Sequence, residues 1–143
     1  MKRKSSEKNK VFVLDTSALF ALRDDENGAD QVESILRKGE KGRADIYVSF
    51  MTLLEVYYIV WRREGKEAAH YAYLETNMLP IEVVNIRESM LLQAGFIKAN
   101  YTLSVADSFI IATAVDKEGI LVHKDPEFEQ VSDIVQLNSL PYK

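Results

Sequence analysis

Four apolar residues with no polar break, Val11 to Leu14, mark the first regular feature of the chain. They are β-branched or aromatic for the most part, the pattern of a short strand covered on both faces. Similar stretches recur at Ala44–Val48, Ile81–Val84 and Ile120–Val122, and a fifth at Ile134–Leu137 suits an edge strand. The intervening segments change period. Ser17–Arg23 predicts a short helix, followed by a polar break at Asp24–Gly28. Ala29–Lys38 places Val32, Ile35 and Leu36 at helical spacing, and Phe50–Arg63 predicts a long helix. Glu67–Glu75, Glu88–Ala99 and Val105–Lys117 predict three more, the last closed by Gly119 as a C′ glycine. Strands alternating with helices predict an α/β fold: three layers, α/β/α, around a mainly parallel central sheet of about five strands. In such sheets ligands collect at the carboxyl ends of the strands, so the residues that follow each strand gain weight.

The length suits a single domain, expected over residues 11–143, behind a basic tail at 1–10 that is expected to be disordered. That tail holds Lys2, Arg3, Lys4, Lys8 and Lys10 against Glu7, so the acidic excess of the chain, net charge −4, lies in the body. An acidic body argues against duplex binding driven by global charge, while leaving room for a nucleic acid held at a local basic rim. With no cysteine there is no disulfide framework and no thiolate metal site. No apolar run reaches membrane-spanning length, and the first residues lack the apolar core of a secretory signal. A cytoplasmic protein without a membrane partner is expected.

Chemistry enters through four carboxylates in apolar company. Asp15 ends the first strand, and Asp125 closely follows the fourth. Glu55 is the sole charge in "FMTLLEVYYIVW", and Asp107 the sole charge in "LSVADSFIIATAV". The stripe Phe50, Leu53, Leu54, Tyr57, Tyr58, Trp61 and the apolar opposite side predict that the Glu55 helix is covered on most sides. Each acid also has a local structural reading. Ser104 with Asp107, and more weakly Thr52 with Glu55, match a capping box, although Ser49 is the better cap for the second helix. Asp15 could cap the helix after it, and Asp125 could form an Asp-Pro turn with Pro126. The four acids share one property that separate caps would not require. Topology brings strand ends and helix starts to the same sheet edge. Two carboxylates about 4 Å apart at an effective dielectric of about 20 repel by roughly 4 kcal/mol. Such a cluster either takes up protons or holds a cation, and an all-oxygen set suits Mg²⁺ or Mn²⁺.

"VLDTSALFAL", the isolated Glu of "TLLEVYYIV", "LSVADSFIIATA" and "ILVHKDPEF" together resemble the PIN domain, in order and spacing from Val11 onward. The compact size resembles VapC-type toxins and their stand-alone relatives. The resemblance implies a Mg²⁺- or Mn²⁺-dependent endoribonuclease acting on single-stranded or structured RNA, the toxin of a toxin–antitoxin pair. It implies that Asp15, Glu55, Asp107 and Asp125 form the acidic metal-binding cluster, with Asp15 and Asp107 as direct ligands. Glu55 and Asp125 would bind a second ion or position the attacking water, and Ser17 would contact a carboxylate or phosphate. It further implies a homodimer and a small antitoxin partner. One position departs from the pattern: His123 stands two residues before the last acid, where Thr or Ser is common. It could support Asp125 or touch RNA, or be a strand-end histidine without a role.

Other features admit plainer readings. His70 reads as a helix-surface residue, and the aromatics Tyr57, Tyr58, Trp61, Tyr71 and Tyr73 suit packing better than base stacking. Arg62 and Arg63 favour the end of a helix whatever else they bind. A dehalogenase-like phosphatase would need an acid where Ser17 stands. A receiver domain would need the pair Asp24–Asp25 at the strand end rather than well beyond it. The alternatives retained are a PIN-like scaffold module that cuts nothing, and an RNA-processing nuclease that is not a toxin.

Overall fold

The computed structural model describes residues 8–142. Most of the basic tail expected over residues 1–10 therefore lies outside the described residues, and Lys10 already belongs to the first strand. In chain order the elements are β1 (Lys10–Leu14), α1 (Thr16–Arg23), α2 (Ala29–Glu40) and β2 (Ala44–Ser49). They continue as α3 (Phe50–Glu64), α4 (Lys66–Asn77), β3 (Glu82–Val84), α5 (Glu88–Asn100) and α6 (Val105–Lys117). β4 (Ile120–His123), a 3-10 helix (Pro126–Val131) and β5 (Gln136–Ser139) complete the fold. All six expected helices are present.

The five strands form one sheet in the order β3-β2-β1-β4-β5, and every pairing is parallel. This is the doubly wound arrangement in which the order reverses beside β1, opening a crevice at the carboxyl ends of β1 and β4. Side chains alternate across the sheet. Phe12 and Leu14 face the core shared with α1 to α4, while Val13 faces the core shared with α5 and α6. Leu14, Val13, Val48, Leu121 and Val122 are fully buried, each contributing about 1.5–3 kcal/mol of burial free energy. Because both faces are covered, these strands need continuous apolar stretches, which is why their positions could be read from the sequence.

Three local expectations change. The fifth strand begins at Gln136, two residues later than its apolar pattern suggested. Ile134 and Val135 instead turn back, their N–H groups reaching Val131 O at 3.0 and 3.1 Å, and fill the α5–α6 core. Gly119 does not supply the left-handed cap of α6, since Glu118 takes that conformation at φ 50°. Glycine leaves room for the close approach of β1, where a Cβ would lie 3.1 Å from Val13 Cγ2 and 3.2 Å from Val11 Cγ1. Finally, α3 is not covered on most sides. Leu54 is 53% exposed and Trp61 43%, and the buried positions are Thr52, Val56 and Val60. Tyr57, Trp61 and Tyr73 pack edge-on as a surface cluster, and exposed His70 Nδ1 sits 3.1 Å from Tyr57 Oη.

Candidate metal centre

The ladder between β1 and β4 decides what meets at the crevice. Leu14 pairs with Val122, and the Asp15 N–H extends the pairing to Val122 O at 2.9 Å. Asp15 thus leaves β1 beside the segment His123–Asp125 that leaves β4. Its carboxylate caps α1, accepting from Ser17 N at 3.0 Å and also from the Ser17 hydroxyl. Ser17 Oγ in turn accepts the Lys124 N–H at 2.9 Å, so one hydroxyl ties the two strand ends together. Ser17 therefore contacts a carboxylate, with its proton directed at Asp15.

Glu55 reaches the site from the second turn of α3, whose start is capped by Ser49, Oγ to Met51 N at 3.1 Å. Its Oε1 accepts from Thr16 Oγ1 at 2.7 Å, and Thr16 Oγ1 lies 3.2 Å from Thr52 Oγ1. Asp107 stands in the first turn of α6, its N–H donating to Ser104 Oγ at 3.1 Å. Asp125 Oδ1 accepts from Glu127 N at 2.9 Å and so caps the 3-10 helix. The capping readings of Asp15 and Ser104 hold, and Asp125, read as an Asp-Pro turn, caps the 3-10 helix that Pro126 opens; all three coexist with a shared site because these ends open toward the same crevice.

Electrostatics tie the acids together. Burial pushes the Asp15 carboxyl up to about 7, the two hydrogen bonds from Ser17 oppose the rise, and the charges of Asp107 and Glu55 add to it. Burial likewise raises Asp107 to about 6, opposed by Ser104 and assisted by Glu55, Asp125 and Glu127. Three carboxylates, those of Asp107, Asp125 and Glu127, offer oxygens that all lie within 4.8 Å of one another. Opposite ligands of one Mg²⁺ stand about 4.2 Å apart, given metal–oxygen distances of about 2.0–2.1 Å. The spacing and the all-oxygen donor set thus fit a hard divalent cation. Glu55 lies outside this trio but its charge raises Asp107, and the charges of Asp107 and Glu55 both raise Asp15.

His123 occupies the position where the sequence pattern departs. Its side chain has no exposed surface, so it does not reach a phosphate in this structure. Nδ1 accepts the Asp125 N–H at 3.2 Å, which places the ring proton on Nε2. Nε2 has no hydrogen-bond partner, and the ring packs against Phe128 and Tyr142 at 5.3 and 6.2 Å. Burial pushes the His123 pKa below its ordinary value.

Two members of the site were not singled out in the sequence. Thr16 sits between the two flagged residues of "DTS", and its hydroxyl orients Glu55. Glu127 lies in "DPEF" and looks like any surface acid, although its spacing from Asp125 across a proline was a usable signal.

The model of the family described as PIN domain matches residues 12–134. No curated protein matches the chain. Among solved structures, the fold is similar to VapBC2 from Rickettsia felis bound to a fragment of its promoter DNA. The TM-score is 0.71 at 16% identity, covering 92% of this chain and 99% of that one. DNA-bound VapBC from Salmonella typhimurium gives 0.70 at 19% identity, covering 92% and 98%. VapC20 from Mycobacterium tuberculosis, a toxin that cleaves the sarcin-ricin loop, gives 0.66 at 20% identity, covering 85% and 95%.

Proposed function

The chain belongs to the PIN domain family, and from that premise we propose that it is a Mg²⁺- or Mn²⁺-dependent endoribonuclease, the toxin of a toxin–antitoxin pair. One observation carries the reading: at the switch point of the sheet Asp107, Asp125 and Glu127 bring carboxylate oxygens within 4.8 Å of one another, with Asp15 and Glu55 close enough for their charges to couple to Asp107. A cluster of acids around the buried Asp15 serves stability poorly, because every added charge raises the cost of the next.

In this reading Asp107, Asp125 and Glu127 hold the cation, with Asp15 beside them. A divalent cation there activates water and neutralises charge developing on the phosphate. The protein residues fix geometry and protons. Ser17 orients the Asp15 carboxylate, and Thr16 orients Glu55 through Oε1, leaving the other oxygen of Glu55 to position water. The His123 ring holds the Asp125 backbone from the buried side. Several structures similar in fold are complexes of a VapC with its antitoxin, which supports an antitoxin partner here. The apolar residues exposed on α3 and α4 support protein contacts, including a homodimer. No helix among the described residues is long and apolar enough to cross a membrane.

The test is incubation of the purified chain with single-stranded RNA and Mn²⁺ or Mg²⁺, beside Asp15→Asn. Cleavage should require the metal and disappear in the variant. Equal cleavage by the variant, or cleavage that survives EDTA, would overturn the assignment. RNA left intact by a chain that binds Mn²⁺ would indicate a scaffold module. Cleavage without growth arrest on expression would indicate an RNA-processing enzyme.

A further inference from the structure

Beside the carboxylates lies a second concavity, a cavity of about 590 Å³ between α1, α3 and the segment after β4. It shares a wall with the acidic site. Ser17, which holds Asp15, lines it, as does Lys124, whose N–H bonds Ser17 Oγ. The remaining surface is apolar from Phe20, Ile59, Pro126 and Tyr142 and charged from Arg63 and Glu26. The volume falls within the range of small-ligand sites.

Tyr142 is held from behind. Its hydroxyl donates to Glu129 Oε2 at 3.1 Å, and its ring leans on buried His123. A ring fixed in this way is a ready stacking surface. The two cations are held at the cavity by partners on the α1–α2 side. Arg63 Nη1 lies 3.2 Å from Asp24, with its guanidinium 5.0 Å above the Phe20 ring. Lys124 Nζ donates to Glu26 at 3.1 Å and to Asn27 O at 3.0 Å. Both cations thus carry a carboxylate partner, and a phosphate would engage them in exchange for Asp24 or Glu26.

We propose that this cavity receives one nucleotide of single-stranded RNA beside the scissile phosphate, the base against Tyr142 and a phosphate toward Arg63 and Lys124. The inference rests on the nuclease reading and adds a substrate subsite to it. A protein segment is the competing occupant. The shared wall with the carboxylates and the fixed Tyr142 ring favour the nucleotide. By contrast, the groove lined by Leu53, Leu54, Tyr57, His70, Tyr73 and Leu74 holds no Lys or Arg, and suits a protein surface better.

Binding is measured with the Asp15→Asn chain, so that cleavage does not intervene. The probe is a short single-stranded RNA carrying 2-aminopurine, read by anisotropy and by quenching of the base on stacking. Tyr142→Ala should weaken binding about 5- to 150-fold, the range that follows from removing one stacking aromatic, and relieve the quenching. Tyr142→Phe should retain both, and Ile59→Trp, which fills the cavity, should weaken binding without touching Tyr142. Unchanged affinity and quenching in Tyr142→Ala and Ile59→Trp would overturn the subsite, as would absence of RNA binding by the Asp15→Asn chain. Failure of the nuclease reading registers separately, as RNA left uncut by the unsubstituted chain with Mn²⁺.

Discussion

Asp15 holds a proton in the folded protein that it would release when unfolded. Its folded pKa is about 7 against 3.8, so the folded state binds more protons between those values. The contribution of Asp15 to stability is therefore fully present below about pH 4 and is lost as pH rises to about 7. Asp107 acts in the same sense, its loss complete near pH 6. Urea denaturation in EDTA should show Asp15→Asn gaining on the unsubstituted chain from pH 4 to pH 8, and Mn²⁺ should remove the advantage by compensating the charge. A constant difference across that range would mean that the carboxyl is ionised at no unusual cost. Residues of this kind were legible because a carboxylate is conspicuous among apolar neighbours, as Glu55 and Asp107 are. Glu127 was not, because it follows a proline among other surface acids and only the turn capped by Asp125 brings it into the trio. Thr16 was not, because a hydroxyl carries no such contrast, and its importance lies in a contact 39 residues away.

At the scale of elements, strands with apolar residues of their own announced themselves, the edge strand β3 included, and the polar edge strand β5 did not. β1 and β4 lie inside the sheet and must be apolar on both faces. β5 is an edge strand, reads Gln-Leu-Asn-Ser, and borrows its apolar signal from the turn before it. The α3 stripe misled for a related reason. Apolar periodicity reports that a surface wants covering, not that the same chain covers it. Gly119 provides the element-level prediction. Gly119→Ala would press a methyl group onto Val13 and Val11 of β1, which flank it at 3.1 and 3.2 Å. Overpacking of that kind destabilises by about 1–3 kcal/mol, measurable as a lower urea midpoint. An unchanged midpoint would show that the α6–β4 connection can move away from β1.

The whole molecule is acidic, and any RNA must approach it against that field. If Arg63 and Lys124 supply most of the favourable phosphate contacts, few counterions are released on binding. The logarithm of affinity should fall with the logarithm of salt at a slope of about −1 to −2, from about 0.7 per phosphate neutralised on a single strand. Anisotropy with the Asp15→Asn chain between low and high salt measures it, and a much steeper slope would implicate a broad basic surface instead.

The bond between Lys124 and Ser17 joins residues separated by 107 positions in sequence. Thr16 joins the end of β1 to Glu55 on the β2 side of the sheet, so Asp15 and Glu55 meet without β4. Asp125 and Glu127 join them only through the β1–β4 ladder, which makes that pairing the one that completes the cluster.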